Sequence, residues 1–591
     1  MSSRRLLEPV LVLGFCLFLF FYGLASFGLT GADEPRYAQV AREMLARHDW
    51  VTPVLYGQPW LEKPILYYWR AMVAYKVFGV SDWAARLPSA TLATLMVFVV
   101  YLFSLRMRGV PDRRAFTSGG VVRGMPLDAA LITASSTLLL AMARAASTDM
   151  SLAAPFSIAM LCWYAWHESA LSLAPAPPRP SEDKDSIRRG SDGRQWLLLV
   201  FYVAMALATL AKGPVAPGLA ALILIVYCLA VRQPKLIAKT LWIPGILCFL
   251  AVALPWYIEV QLRNPQFLRV FLVEHNLARF GTNLFRHPQP FWYYVPIVLL
   301  ATAPWTLFVI LGAVDAVKEW RQRQGTAPDY LPIFLLLWGF VPVLFFSLSR
   351  SKLPAYILPS VPAFALLAAV CAHRRMQQGR LSRWLILAHA AICAAVMAAV
   401  LLAPALMLKV RPAPRTIIVS SAAAALVFLL VGGALFAKGL PMLRPVTLLP
   451  IVVSVAFLLR VAAPSIDAAQ SARPLAGFLA GLGVAPGDHV SYFRARRELA
   501  YGLAFYRNQS PEVYAGWPAL DANEFPSSGT PPAGRFFVLT SIPANAKNAF
   551  AGDSGRQAQL RQMLPGREVR AIGFFRPQQV QVFLVSPGNA W

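Results

Sequence analysis

The chain has 591 residues, of which 57% are hydrophobic and only 14% charged. An ordinary globular domain is about a quarter charged, so this composition excludes a soluble enzyme, a secreted disulfide scaffold and a disordered tail protein. The 55 Lys and Arg against 28 Asp and Glu leave a net charge of +27. In a chain of long apolar runs that excess reads as basic loops meeting anionic lipid headgroups, with no nucleic acid as partner.

Apolar runs of spanning length recur from the N-terminus to about residue 463. Arg4-Arg5 precede the first, whose apolar stretch is longer than a signal-peptide core and lacks a small-x-small cleavage site. It is read as a retained span. By the ~20-residue criterion about thirteen helices are expected. They lie near 7–30, 85–105, 126–143, 150–167, 195–211, 215–231, 241–258, 291–313, 330–348, 355–372, 384–408, 416–436 and 445–463.

Basic clusters orient these spans. Arg4-Arg5, Arg113-Arg114, Lys184/Arg188/Arg189/Arg194, Arg232/Lys235/Lys239, Lys318/Arg321/Arg323, Arg374/Arg375/Arg380/Arg383 and Lys438/Arg444 all fall on one side, which the positive-inside rule makes cytoplasmic. The Pro-, Ser- and charge-rich stretch 169–194 reads as a flexible cytoplasmic loop. The six cysteines sit inside apolar runs without CxxC spacing and read as small core residues. The expected organisation is a membrane domain over 1–463 and, over 464–591, a small α/β domain on the outer face. Short apolar runs (490–493, 536–539, 580–585) there alternate with helix-like stretches (495–506, 554–563).

Ionisable residues near a membrane are costly and by default functional. Six segments carry them: 31–37 (GADEPRY), 61–64 (LEKP), 147–149 (STD), 211–214 (AKGP), 274–276 (EHN) with Arg279, and 349–354 (SRSKLP). By the span count all six fall on the outer side, so one cavity is expected to gather them. The first external loop, about 31–84, carries two. Asp33 can cap a helix whose first turn tolerates Pro35. Tyr37, Val40, Ala41, Met44 and Leu45 then recur at helical spacing, with Arg36, Gln39, Arg42, Glu43 and Arg47 mostly opposite, as in an amphipathic helix lying on the membrane surface. A second helix is expected over 64–78, with Tyr67-Tyr68-Trp69 at interfacial depth.

Bland readings exist for each segment. Asp33-Glu34 matches a helix dipole, Glu62-Lys63 a solvated pair, and Asp149 a helix cap. Lys212 can snorkel to headgroups and His275 can be a satisfied structural histidine. The combination favours chemistry: a phosphate-bearing ligand needs Arg and Lys, and a metal or a nucleophilic hydroxyl needs carboxylates. A flippase or transporter is the rival class. It would distribute charges near the midplane in two related halves, whereas these gather on one face without a repeat.

Asp33-Glu34-Pro35-Arg36-Tyr37, then Trp60-Leu61-Glu62-Lys63-Pro64, then 351–359 (SKLPAYILP), in that order, resemble bacterial members of the protein-O-mannosyltransferase superfamily. Within it they are most similar to the ArnT-like 4-amino-4-deoxy-L-arabinose lipid A transferases. The resemblance covers about residues 7–360. It implies a GT-C glycosyltransferase fold with thirteen transmembrane helices, two juxtamembrane helices and a C-terminal periplasmic domain in the bacterial inner membrane. The implied reaction moves a sugar from undecaprenyl phosphate to lipid A, with resistance to polymyxin as the physiological outcome. A protein hydroxyl or another envelope glycan is the alternative acceptor.

By position, the resemblance places Asp33, Glu62 and Asp149 at the catalytic centre. It places Arg36, Lys63, Lys212, His275, Arg279, Lys352 and Tyr356 about the donor pocket, and the polyprenyl tail is expected in a groove lined by apolar helix faces and aromatics such as Trp60 and Tyr67. Charge grows on the leaving phosphate, so Arg36, Lys63, Arg279 and Lys352 are candidates to stabilise it. Glu62 and His275 could share a divalent ion, zinc or manganese, with that phosphate. Either acceptor gives inversion in a single displacement. A hydroxyl needs a base such as Asp33 or Asp149, and a phosphate needs none.

Overall fold

The computed structural model describes residues 4–107, 124–171, 184–278, 289–322, 329–378, 382–408, 410–514, 517, 527–528, 530–542 and 554–588. Among them, eight helices are long and apolar enough to cross a bilayer, or ten spans if each of two bent pairs counts once. The chain is a multi-pass membrane protein. Each of the thirteen expected stretches contains helix, but the spanning count falls short of thirteen. Leu7–Phe21 and Val215–Ala230 are shorter apolar helices, and the first expected span ends at Phe21 rather than near Thr30.

The bent pairs show how lipid constrains the backbone. Met125–Ser135 and Thr137–Ala143 are bent by 65°, and Phe291–Ala301 and Thr306–Arg321 by 114°. Groups freed at such breaks find no water in hydrocarbon and must pair within the protein. Here the two breaks satisfy each other. Thr137 donates to the Ala303 carbonyl through its N–H at 3.3 Å and its hydroxyl at 2.9 Å, and Trp305 Nε1 donates to Ser135 Oγ at 2.9 Å. Close helix approach depends on small residues. A Cβ on Gly312 would lie 2.8 Å from the Leu367 carbonyl oxygen, so helix Thr306–Arg321 meets helix Val361–Gln378 there only as glycine.

The first loop folds into helix Asp33–Ala46, a hairpin of Val54–Leu55 and Gln58–Pro59, and helix Leu66–Phe78. Tyr56 and Gly57 turn the hairpin with φ of 52° and 79°, as a two-residue turn of this kind requires. Helix Asp33–Ala46 lacks the wet face expected of it. Arg36 and Gln39, assigned to its wet face, are buried together with Glu34. Helix Arg497–Arg507 of the C-terminal domain covers that face, and Arg42 donates to the Phe505 carbonyl at 3.0 Å.

The C-terminal domain is built on a four-stranded sheet in the order Val490–Tyr492, Phe536–Ser541, Val580–Pro587, Arg567–Phe575. The first pair is parallel and the others antiparallel. Strand Arg567–Phe575 escaped the sequence reading because a register shift between Ala571 and Gly573 breaks its alternation. A polar knot fixes the domain to the membrane part. Tyr506 accepts from the Leu29 N–H at 2.7 Å and donates to Asp82 at 2.8 Å. Arg473 bridges Asp82 at 2.9 Å and Asp467 at 2.7 Å, and Asp467 accepts from the Gly28 N–H at 2.8 Å.

Candidate active site

The site starts from two adjacent carboxylates that point different ways. Ala32, not Asp33, is the N-cap of the first-loop helix. Glu34 turns inward, where Arg86 donates to both its oxygens at 3.0 and 2.7 Å and the N–H groups of Thr30 and Ala146 add bonds of 2.8 and 2.6 Å. Burial acts to raise the Glu34 pKa, but Arg86 and these donors outweigh it and hold the carboxyl below its ordinary value. The remaining Arg86 donors are taken by the carbonyls of Leu24, Phe27 and Gly28. Glu34 is thus a structural anchor, and the neighbouring Asp33 side chain is left 56% exposed.

Asp33 pairs with Arg36 Nη2 at 2.5 Å, one helical turn on. The Arg36 guanidinium lies among three rings, 5.1 Å from Trp60, 5.4 Å from Tyr37 and 5.4 Å from Tyr501. Burial alone would lower its pKa, yet Tyr37, Asp33 and Glu62 reverse the effect and keep the cation charged. Such an enclosed cation interacts strongly with an incoming anion because little water competes. Its Nε has no hydrogen-bond partner.

A second cluster faces the same space. Lys212 ends helix Lys184–Lys212, forms an ion pair with Asp149 and lies 5.6 Å from the Tyr356 ring. Gly213 makes the sharp exit possible, with φ of +73° and no room for a side chain beside the Phe271 ring. Lys63 is near enough to act electrostatically on Asp149. The expected stiff segment after Ser351 is a helical turn, Pro354–Ser360, that carries Tyr356.

These groups meet in one cavity of about 3300 Å³. Asp33, Arg36, Glu62, Lys63, Asp149, Lys212 and Tyr356 all line it. Tyr67, Trp60 and Lys352 do not. Tyr67 is fully buried and its hydroxyl donates to the Ala85 carbonyl at 2.9 Å, because it lies on the face of helix Leu66–Phe78 that packs against the protein, while Val73, Val77 and Phe78 stay exposed. Trp60 is spent on the Arg36 guanidinium. Lys352 is 5% exposed and donates to the carbonyls of Ser349 and Gln289, so its ammonium holds the loop rather than facing the cavity. Arg279 lies outside the described residues, as does the side chain of His275. Among the described residues no three His, Cys, Asp or Glu side chains gather as a metal site requires.

The sequence reading missed Arg144, Arg494, Arg496, Arg497, Arg556 and Arg576, which also line the cavity. The run Arg494-Ala495-Arg496-Arg497 was the available signal, but it lies 140 residues or more from the other clusters and reads as a solvated helix start.

A family model described as dolichyl-phosphate-mannose-protein mannosyltransferase matches residues 9–271. The undecaprenyl phosphate-alpha-4-amino-4-deoxy-L-arabinose arabinosyl transferase of Aeromonas hydrophila is 30% identical over 396 residues, 66% of this chain and 65% of the relative. The chain therefore spans just under two thirds of that relative's length. An enzyme of the same name from Pseudomonas fluorescens is 30% identical over 451 residues, 76% of this chain and 71% of the relative. The crystal structure of ArnT from Cupriavidus metallidurans bound to undecaprenyl phosphate superposes with a TM-score of 0.72 over 99% of this chain and 98% of that one, at 22% identity. The fold is therefore GT-C.

Proposed function

The chain belongs to the undecaprenyl phosphate-alpha-4-amino-4-deoxy-L-arabinose arabinosyl transferase family, and from that premise we propose that it is an inverting glycosyltransferase. The donor is 4-amino-4-deoxy-L-arabinose on undecaprenyl phosphate and the acceptor a lipid A phosphate. The reaction runs on the outer face of a bacterial inner membrane, and its product lowers the anionic charge that cationic peptides such as polymyxin recognise.

One observation carries the reading: Asp33, Arg36, Glu62, Lys63, Asp149 and Lys212, drawn from four distant stretches, line one cavity that also has apolar walls. Random placement of six ionisable side chains in a membrane protein would seldom give this, since each must be paired or useful. The bond between the sugar C1 and the donor phosphate oxygen breaks while an acceptor phosphate oxygen bonds C1 from the opposite face. Negative charge returns to the undecaprenyl phosphate, where Arg36 and Lys63 stabilise it. The nucleophile is already an anion, so no proton is removed from it. Asp33 then holds the Arg36 fork in place, and Asp149, held by Lys212, is available to the sugar's ammonium group.

No step is routed through a metal. A divalent ion on Glu62 and His275 belongs to the proposal only as a second neutraliser of the donor phosphate. Its mark would be EDTA-sensitive transfer restored by zinc or manganese and insensitive to either in Glu62→Gln.

The test is mass spectrometry of lipid A from a host that makes the donor but lacks its own transferase. An aminoarabinose-sized gain with the intact protein, lost with Asp33→Ala at equal membrane abundance, is expected. Unchanged lipid A with protein present would sink the lipid A reading and turn attention to a protein hydroxyl or another envelope glycan.

A further inference from the structure

A carboxylate outside the cavity fixes the loop that leads into it. Arg36, Gln39 and Glu43 recur at helical spacing along helix Asp33–Ala46 and so share one of its faces. The Gln39 side-chain amide donates to Glu43 Oε1 at 2.9 Å, which orients the carboxylate toward the turn between Val54–Leu55 and Gln58–Pro59. There Oε1 accepts from the Tyr56 N–H at 3.0 Å and Oε2 from the Gly57 N–H at 3.1 Å. Successive backbone N–H groups in a turn form a small anion-binding concavity. In this chain the anion is a side chain, Glu43, which does not itself line the cavity.

The turn is not one that Tyr56 favours. Its φ is 52°, uncommon for a bulky residue, and Asn or Gly would adopt it more readily. The ring has a use there. It stacks on Tyr501 with centroids 6.2 Å apart and planes 15° apart, and the Tyr501 ring lies 5.4 Å from the Arg36 guanidinium. At the foot of the hairpin the Trp60 N–H donates to the Pro53 carbonyl at 2.7 Å, and the Trp60 ring lies 5.1 Å from the same guanidinium. Glu62 and Lys63, which line the cavity, follow directly. The stretch before the hairpin is tied down as well: Trp256 Nε1 donates to the Val51 carbonyl and Asn264 Nδ2 to Thr52 Oγ1, both at 3.0 Å. The hairpin is thus anchored at its base to helix Ile243–Arg263 and at its tip to the helix that carries Arg36.

We infer that Glu43 is a positioning residue for transfer. Through the Tyr56-Gly57 turn it sets the Tyr56–Tyr501 stack and the Trp60 ring about Arg36, without touching substrate. The inference rests on the transfer reading for what Arg36 does. Charge on the leaving phosphate is greatest in the transition state, so a loosened cage harms that state more than the bound donor. A carboxylate that only supported the fold would change how much protein folds and leave the rate per folded molecule alone.

The test compares the unaltered full chain with E43A, E43Q, Y501A and E43A/Y501A in phosphatidylcholine nanodiscs, supplied with undecaprenyl phosphate-linked aminoarabinose and lipid A. Small misplacements away from the chemistry lower rates by up to about 100-fold, so E43A is expected to lower kcat about 5- to 100-fold. KM for the donor should stay within about twofold. The double variant should be no more than about twofold slower than the slower single one, because both changes loosen the same cage. E43Q, of nearly the same shape, keeps one acceptor oxygen for the turn and should lose less than E43A. Parent-like kcat in E43A, or in E43Q where E43A does not accumulate, would overturn the inference. So would losses that multiply in the double variant. Hydrogen exchange on the same proteins needs no transfer: residues 54–60 and 497–507 should both exchange faster in E43A. Faster exchange at 54–60 alone would reduce Glu43 to a local support of the turn and overturn its link to Arg36. Loosening of both segments in a protein whose unaltered form moves no aminoarabinose would uphold the clamp and defeat the transfer reading instead.

Discussion

The Tyr501 ring, carried by a helix of the C-terminal domain, lies 5.4 Å from the guanidinium of Arg36 in helix Asp33–Ala46. More than 400 residues separate them in sequence. The relationship makes the C-terminal domain part of the candidate site rather than a cover over it, because Arg36 is held on one side by Asp33 and on another by this ring.

Tyr501 is therefore a positioning residue. A cation over an aromatic face gains about 0.5–2 kcal/mol, so Tyr501→Ala is expected to slow transfer roughly 2- to 30-fold, while Tyr501→Phe, which keeps the ring, stays near the parent. Rates measured in membranes at saturating donor separate the two. Equal loss in both variants would assign the effect to the hydroxyl instead.

Lys212 and Asp149 are expected to act as a unit. Removing one partner of a poorly solvated pair leaves the other unpaired, at a cost of about 3–5 kcal/mol when burial is complete and less here, where both keep some exposure. Lys212→Met and Asp149→Asn should each lower transfer more than tenfold, and the double variant should be no worse than the weaker single one. Additive losses would show that the two side chains serve separate steps.

Glu34 predicts a pH signature. Its folded pKa lies below the ordinary value, so its contribution is complete above the unfolded carboxyl pKa of about 4.3 and is lost as pH falls through the folded value. The melting temperature should stay flat on this account from neutral pH to about 5 and drop in stronger acid. Glu34→Gln should start lower and show a shallower acid drop. An unchanged acid limb would remove Glu34 from the account.

The Arg473–Asp82–Tyr506 knot is expected to set how firmly the C-terminal domain docks. Arg473→Ala breaks hydrogen bonds to two carboxylates and should weaken docking by about 1–2 kcal/mol, discounted for the partial exposure of Arg473. Hydrogen exchange would report it as faster opening at 22–32 and 497–507, with the sheet core unchanged. Slower transfer should accompany it, through Tyr501. Uniform destabilisation of the sheet would mean that Arg473 supports the domain itself.

Where the spans lie was legible in the sequence, because an apolar stretch of spanning length has few alternatives to helix. The count was not. Whether Phe291–Ala301 and Thr306–Arg321 run straight or bend by 114° depends on the polar groups that meet at the break, and those come from Ser135 and Thr137, more than 160 residues away. Among the site residues, Asp33, Arg36, Glu62, Lys63, Asp149, Lys212 and Tyr356 reach one cavity. Lys352 looked equally suitable, but its direction is decided by two backbone carbonyls that the sequence pattern does not reveal.

What the sequence determined by itself was composition-driven: a membrane chain, the helical stretches, the small C-terminal α/β unit and the types of charge available for phosphate chemistry. Only the tertiary structure decided which charge does what. Asp33 and Glu34 are neighbours of the same kind. Both line the cavity, but Arg86 and the Ala146 N–H bury and occupy the Glu34 carboxylate, while Asp33 stays exposed. The reason is physical: hydrophobicity is a property of a local stretch, whereas pairing a charge away from water requires a partner, and the Arg86 and Ala146 donors that bury Glu34 lie 52 and 112 residues along the chain.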